Sequence, residues 1–160
     1  MPARTLDQKA KILYIEDNRE NRMLVRAVLE AAGYTIVEAE DGLSGIEAAI
    51  REEPALVLLD INLPGVDGYE IVAILKSFPN LAATPVIALT AYAMQGDRQR
   101  TLVAGCDGYI QKPINVDAFP RQVAEFLGGK RERVEGREEG VYLRELNQRL
   151  VYRLLIQVEE

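Results

Sequence analysis

Four short apolar runs recur along the chain, and each one ends in a residue that can take part in chemistry. Strands of a parallel sheet that is covered by helices on both faces have this apolar character. Because all strands of such a sheet point the same way, the residues at their carboxyl ends meet at one edge. The pattern predicts one pocket that holds three acids, a hydroxyl and an amine. The runs and their ends are Ile12–Ile15 into Glu16 and Asp17, Leu56–Leu59 into Asp60, Val86–Leu89 into Thr90, and Tyr109–Gln111 into Lys112.

Amphipathic segments alternate with these strands between Lys11 and Leu127. Their apolar residues recur at helical spacing, which predicts a helix after every strand. Parallel strands need such crossovers, so five β/α pairs indicate a doubly wound α/β sandwich with a five-stranded parallel sheet and five helices. The remaining strand is predicted at Thr35–Ala39, and the helices are predicted between an Asn18 cap and Gly33, at Leu43–Glu52, after the loop Asn62–Gly68, at Gly96–Ala104 and at Val116–Leu127.

The apolar stripes of these helices also predict which residues face the sheet. The first helix is expected to bury Leu24, Val25 and Leu29, and the second is expected to bury Ala49 and Ile50. These positions keep to one face at 3.6 residues per turn.

The length of 160 residues and a hydrophobic content of 48% allow one domain with an appendage. We expect an N-terminal arm at residues 1–10, the domain at 11–127, a charged glycine-containing linker at 128–140 and a helical extension at 141–160. The stripe in that extension predicts docking on the domain or pairing in a homodimer, although a disordered remnant or the start of a larger protein remains an alternative. The stripe consists of Leu143, Leu146, Leu150, Leu154 and Val158.

Composition narrows the class of partner and the compartment. A net charge of −6 argues against nucleic acid as a partner, because a phosphate backbone attracts basic surfaces. No run approaches the roughly 20 apolar residues of a membrane span, and residues 1–10 lack the apolar segment of a secretory signal. We therefore expect a cytoplasmic protein without a membrane partner. The single cysteine, Cys106, excludes an internal disulfide.

The chain contains no histidine. Histidine is the residue used most often for general acid-base catalysis and for binding transition metals. Its absence also means that the chain cannot donate phosphate from a phosphohistidine. If a phosphoryl group is transferred, this chain is the acceptor.

The three acids predict a site for a hard cation. Glu16, Asp17 and Asp60 would repel one another, which raises the pKa of at least one carboxyl group unless a cation lies between them. A set of oxygen ligands without histidine or thiolate favours Mg²⁺. The alternative is that Glu16 and Asp17 only cap the first helix, where acids suit the helix dipole.

Thr90 and Lys112 favour a phosphoryl site over a plain metal site. A hydroxyl donor and an ammonium group at the same edge provide what the oxygens of a phosphoryl group require. Asp60 is then a candidate nucleophile, because aspartate can accept phosphate as an acyl phosphate. Taken singly, Thr90 could be an ordinary strand residue and Lys112 a solvated side chain.

These residues occur in motifs that resemble those of receiver domains of two-component response regulators. The sequence TAYAMQGD at 90–97 is most similar to that of single-domain regulators and of receivers attached to hybrid kinases. The resemblance implies a flavodoxin-like fold with strand order 2-1-3-4-5. The motifs are IEDN at 15–18, LLDINLPGVDG at 58–68, ALTA at 88–91 and KP at 112–113.

The resemblance assigns a role to each acidic residue of the predicted site. Asp60 would be the phosphoacceptor and a metal ligand. Asp17 would bind Mg²⁺ directly, Glu16 would act largely through water, and Asn62 would contribute its backbone carbonyl.

The other roles concern the phosphoryl group and the switch. Thr90 and Lys112 would bind the phosphoryl oxygens, and the Lys112–Pro113 peptide bond would be cis. Tyr109 would swing inward when Thr90 moves, although it could instead be an ordinary half-buried tyrosine.

By the same resemblance, the phosphoryl donor is a sensor histidine kinase or a histidine phosphotransfer protein, and a downstream protein target reads the switched surface. We expect no enzyme activity beyond the chain's own phosphoryl acceptance and dephosphorylation. Two alternatives belong to other classes. Phosphatases with an aspartate nucleophile carry a second aspartate two residues later, where this chain has Asn62. A pseudo-receiver would bind partners without phosphorylation.

Overall fold

The computed structural model describes residues 10–63, 67–91 and 100–132, and a five-stranded parallel sheet lies at its centre. The strand order is β2-β1-β3-β4-β5, which confirms the predicted topology. The predicted extension at 141–160, most of the linker and residues 1–9 of the predicted arm at 1–10 lie outside the described residues. The strands are β1 (Lys11–Ile15), β2 (Thr35–Ala39), β3 (Leu56–Asp60), β4 (Val86–Thr90) and β5 (Gly108–Gln111).

Helices cover both faces of the sheet. Residues of α1 and α5 pack on one face and residues of α2 and α3 on the other, so the three central strands are buried on both sides. No helix in the described part of the chain has both the length and the apolar character of a membrane span. The helices are α1 (Arg19–Ala31), α2 (Gly42–Glu52), α3 (Gly68–Ser77), α4, of which residues 100–103 are described, and α5 (Phe119–Leu127).

The first helix begins and ends where the sequence predicts. The Asn18 side chain accepts a hydrogen bond from the backbone N–H of Asn21 at 2.9 Å, which satisfies one of the free donors of the first turn. Two residues beyond the last residue of α1, Gly33 has a φ of 99°, a left-handed conformation that glycine adopts without steric cost.

Two of the predicted core positions are wrong. Leu24 and Ile50 are each 43% exposed. In α1 the buried face runs through Arg22, Val25 and Leu29, at spacings of three and four residues, and Leu24 lies about 100° away from Val25 around the helix axis.

Helix α2 buries small residues in place of Ile50. A Cβ atom at Gly45 would lie 2.5 Å from Cδ1 of Ile15, so the helix approaches the sheet closely at this point. The face next to the sheet accommodates Gly45, Ala48 and Ala49, and the larger Ile50 is turned outward.

Asp107 holds the amino-terminal ends of β4 and β5 together. Its Oδ2 accepts hydrogen bonds from the backbone N–H of Val86 at 2.8 Å and from Nζ of Lys76 at 2.7 Å. The chain that leaves α5 returns to the same place, where the backbone N–H of Glu132 donates to the carbonyl of Asp107. The Glu132 carboxylate accepts the outward N–H of Tyr109 on β5. The first residues of the predicted linker therefore lie along the sheet edge.

Replacement of Gly108 by alanine should destabilise the domain. The new Cβ atom would overlap the ring of Phe126, which is buried in the core between α5 and the sheet. Overpacking of this kind costs about 1 to 3 kcal/mol, and we expect a loss of that size in the free energy of unfolding measured with urea. The matched control is Gly128→Ala, where the nearest atom lies 3.3 Å away and the expected change is within about 0.5 kcal/mol. Equal effects of the two variants would contradict this account of the packing.

Candidate phosphoacceptor and metal site

The three predicted acids lie together at the carboxyl edge of the sheet. Glu16 follows β1 and Asp60 ends β3, and the two strands are paired with Ile15 opposite Leu59. One carboxylate oxygen from each of Glu16, Asp17 and Asp60 lies within 4.8 Å of the other two. Glu16 and Asp60 are buried, and Asp17 is exposed. The cluster therefore reaches solvent through Asp17.

Lys112 brings a positive charge to this cluster from the segment that follows β5. Its Nζ lies 3.3 Å from Oε1 of Glu16 and 3.4 Å from Oδ2 of Asp60. The side chain is partly buried, so the interaction is less screened by water than a surface ion pair. One ammonium group can balance only one of the three carboxylates.

The two oxygens of Glu16 have different surroundings. Oε1 accepts hydrogen bonds from the Tyr14 hydroxyl at 3.1 Å, from Nδ2 of Asn21 at 2.7 Å and from Lys112. Oε2 is buried and accepts no hydrogen bond from any described residue. An unpaired buried carboxylate oxygen is costly, and a cation or a molecule bound to a cation would satisfy it. The residues present thus fit a metal ion bound by oxygen ligands.

This environment raises the pKa of Glu16 to about 7. Burial is the largest cause, and the neighbouring Asp60 adds to it, whereas the hydrogen bond from Asn21 and the charge of Lys112 act in the opposite direction. The direction agrees with the expectation from repulsion among the acids, but burial, which the sequence pattern did not predict for Glu16, is the larger cause.

Asn62, Thr90 and Pro113 lie at the same edge, whereas Tyr109 lies nearer the amino end of β5, opposite Ala88. The backbone N–H of Asn62 donates to Oδ1 of Asp60 at 3.0 Å. Thr90 is buried at the end of β4, and its carbonyl accepts the N–H of Lys112 at 2.8 Å. The Lys112–Pro113 peptide bond is cis. Tyr109 is partly buried on β5 and packs against the core on the side of α2 and α3.

Three residues that hold Glu16 were not predicted from the sequence. Tyr14 and Asn21 donate to its carboxylate, and Nη1 of the buried Arg22 donates to its backbone carbonyl at 2.7 Å. The position of Tyr14 carried a usable signal, because residues two apart on a strand share a face. The contacts of Asn21 and Arg22 depend on how α1 lies against β1.

A family model for the response regulator receiver domain matches residues 12–124. The chain belongs to this family. It is 41% identical over 117 residues to the polar-differentiation response regulator DivK of Brucella anthropi, an alignment that covers 73% of this chain and 95% of DivK. DivK proteins of Brucella ovis and Brucella suis match to the same extent.

Solved receiver structures share the fold. The receiver domain of a sensor histidine kinase from Pseudomonas aeruginosa, which has a magnesium ion coordinated in its active site cleft, is 34% identical. It has a TM-score of 0.69, and the match covers 75% of this chain and 98% of that one. The chemotaxis response regulator CheY4 of Vibrio cholerae is 25% identical with a TM-score of 0.71, over 74% of this chain and 98% of the other. The chain is a receiver domain of two-component signalling, similar both to the response regulators DivK and CheY4 and to the receiver domain of a sensor histidine kinase.

The raised pKa of Glu16 predicts the pH dependence of stability without metal. Its ordinary value is 4.5 and its folded value is about 7, so the folded state favours the protonated form. This contribution to stability is fully present below pH 4.5 and is lost as the pH rises to about 7. The free energy of unfolding of the parent chain should fall by about 1 to 3 kcal/mol between pH 5 and 8, at about 1.4 kcal/mol for each pKa unit. The Glu16→Gln variant should not show this decrease.

Urea unfolding in EDTA at several pH values measures this difference. The exposed Glu47→Gln is the control and should keep the slope of the parent chain. A parent and a Glu16→Gln variant with parallel pH profiles would show that Glu16 does not titrate in this way.

Proposed function

We propose that this receiver accepts a phosphoryl group on Asp60 from a phosphohistidine of a sensor histidine kinase or a histidine phosphotransfer protein, and that phosphorylation switches a surface that a downstream protein reads. The observation that carries the proposal is the Asp60 carboxylate, held beside Lys112 within the acidic cluster. The chain acts only on its own aspartate, in phosphoryl acceptance and in dephosphorylation.

Mg²⁺ is the metal that this site suits best. Asp17, Asp60 and the backbone carbonyl of Asn62 would hold it directly, and Glu16 would act largely through water. Three carboxylates without histidine or thiolate match the preference of a hard cation, and a similar receiver from Pseudomonas aeruginosa has magnesium in its cleft. When bound, the ion offsets the negative charge that the carboxylates and the phosphoryl oxygens bring together.

In the transfer step an oxygen of Asp60 forms a bond to phosphorus as the P–N bond of the phosphohistidine breaks. The imidazole leaves with the electron pair of that bond. Lys112 can follow the charge from the free carboxylate to the phosphoryl oxygens, because its Nζ already lies 3.4 Å from Oδ2 of Asp60. The N–H of Asn62 holds Oδ1 of the same carboxylate and limits its rotation.

The switch would begin at Thr90, whose hydroxyl can donate to a phosphoryl oxygen on the neighbouring strand. Asp60 lies opposite Leu89 in the pairing of β3 with β4, so Thr90 is one residue further along that edge. Movement of Thr90 would make room for Tyr109, which is only partly buried. The phosphate would then shift the equilibrium between two arrangements of α4 and β5.

The compartment and the partner classes follow from this role. The phosphohistidine of a sensor kinase meets its receivers in the cytoplasm. An acidic chain with a net charge of −6 suits protein partners better than nucleic acid. We expect neither a nucleic acid nor a membrane among its direct partners.

Asp60→Asn should abolish covalent labelling by acetyl phosphate in the presence of Mg²⁺, because an amide cannot form the acyl phosphate. The change keeps the side-chain shape and can be followed by mass spectrometry of the intact protein. Asp117→Asn, at an exposed position before α5, is the matched control and should label like the parent chain. Labelling of Asp60→Asn would overturn the assignment, and absence of labelling in the parent would favour a pseudo-receiver that acts by binding alone.

The leucine stripe at residues 141–160 is proposed to mediate a homodimer. Light scattering of the full chain should give twice the monomer mass, and a chain that ends at Glu132 should be monomeric. That end point retains the contacts of Glu132 with β5, so the domain itself stays intact. Equal oligomeric states of the two chains would remove the extension from the interface.

A further inference from the structure

The ionised carboxylate of Glu16 accepts hydrogen bonds on one oxygen only, and two of its three donors, Tyr14 and Asn21, have no role in the proposed function. Oε1 accepts three donors, from Tyr14, Asn21 and Lys112. A carboxylate offers about four acceptor sites over its two oxygens, so three donors leave Oε1 saturated. Oε2 accepts nothing from the described residues although it is buried. The asymmetry orients the carboxylate.

Two of these donors are fixed by the fold, independently of metal. Tyr14 is completely buried within β1, so its ring cannot turn away from Glu16 without opening the core. Asn21 lies in the first turn of α1, where its backbone N–H is bound by the side chain of Asn18. The side chain of Asn21 is therefore not needed for the helix cap and is available for Glu16.

The third donor is different because it has a second partner. Lys112 is shared between Glu16 and Asp60, and it must serve the phosphoryl group in the proposed function. When Lys112 moves toward that group, only the Tyr14 hydroxyl and the Asn21 amide remain to hold Oε1. The 2.7 Å contact from Asn21 is the shorter of these two.

We propose that Asn21, assisted by Tyr14, is a positioning residue that keeps Oε1 of Glu16 occupied and thereby leaves Oε2 as the oxygen available to the metal ion or its bound water. The inference rests on the proposed Mg²⁺ site. Asn21 does not touch the metal or the phosphoryl group. It acts by fixing the rotation of the Glu16 carboxylate before the ion arrives, and the hydrogen bond from Arg22 to the Glu16 carbonyl fixes the backbone of the same residue.

Asn21→Ala removes the donor and should weaken Mg²⁺ binding about tenfold, the lower end of the effect of such supporting residues. Calorimetric titration of the full chain with MgCl₂ measures the dissociation constant without any phosphoryl donor. Met23→Ala is the matched control, since it lies in the same helix with an exposed side chain, and it should leave the constant unchanged. Urea unfolding in EDTA shows whether both variants are folded under the conditions of the titration.

If Asn21 had a merely structural role, its replacement would not weaken Mg²⁺ affinity while leaving the labelling rate at saturating Mg²⁺ unchanged. For Asn21→Ala, the Mg²⁺ concentration that gives half-maximal labelling by acetyl phosphate should rise about tenfold, and the rate at saturating Mg²⁺ should stay within about twofold of the parent rate. Tyr14→Phe, which removes only the hydroxyl, should shift the dissociation constant in the same direction. This second variant decides the matter if Asn21→Ala does not fold.

Unchanged Mg²⁺ affinity in the folded Asn21→Ala variant would overturn the inference, as would a lowered plateau at an unchanged half-maximal concentration. If Asn21→Ala does not fold, unchanged affinity in Tyr14→Phe would overturn it. A parent chain that binds no Mg²⁺ would instead refute the proposed metal site. A parent that binds Mg²⁺ but is not labelled would refute phosphoryl acceptance and leave the role of Asn21 open to the titration. These measurements therefore distinguish failure of the role of Asn21 from failure of the metal site and from failure of phosphoryl acceptance.

Discussion

The chemistry proposed for this domain depends on the repulsion among three carboxylates. The fold holds one oxygen of each within 4.8 Å of the other two. Lys112 balances one of these charges, and the hydrogen bonds to Oε1 of Glu16 offset part of a second. What remains is an excess of negative charge next to Asp60, in a cluster whose other members are the buried Glu16 and the exposed Asp17. Such a site favours a divalent cation, and a cation in turn makes it able to receive a dianionic phosphoryl group.

The sheet supplies the rigidity that this repulsion requires. Strands β1, β3 and β4 are buried on both faces, so their ends cannot move apart without loss of core packing on two sides. Parallel register then places Glu16, Asp60 and Thr90 on adjacent strands at one edge. The Asp107 contacts tie the opposite ends of β4 and β5, next to the segment that leaves α5. Strand β5, one of the two switch elements proposed for this domain, is thus anchored at its amino-terminal end and followed by the charged Lys112 at its carboxyl end.

Periodicity predicted the elements well and the orientation of some side chains poorly. The strands were evident because strands buried on both faces contain uninterrupted apolar runs, and Asn18 marked the start of α1 by a local hydrogen bond. Leu24 and Ile50 were assigned to the core because they are apolar and in approximate phase. Whether a residue at the border of a stripe is buried depends on the rotation and closeness of the helix. Gly45 sets that closeness for α2 through its contact with Ile15, which no local pattern contains.

The sequence by itself determined the alternation of strands and helices and the chemistry of the edge, because apolar runs, glycines and strand-terminal acids act through local physics and through the common direction of parallel strands. The strand order was implied only by the resemblance of the motifs to receiver domains. Only the tertiary structure decided which oxygen of Glu16 is held and which is left, and how Lys112 is shared between two acids. Those distinctions arise from contacts of a few ångströms between α1, β1 and the segment after β5. Such contacts depend on the packing of helix on sheet, and residue type and spacing do not encode them separately.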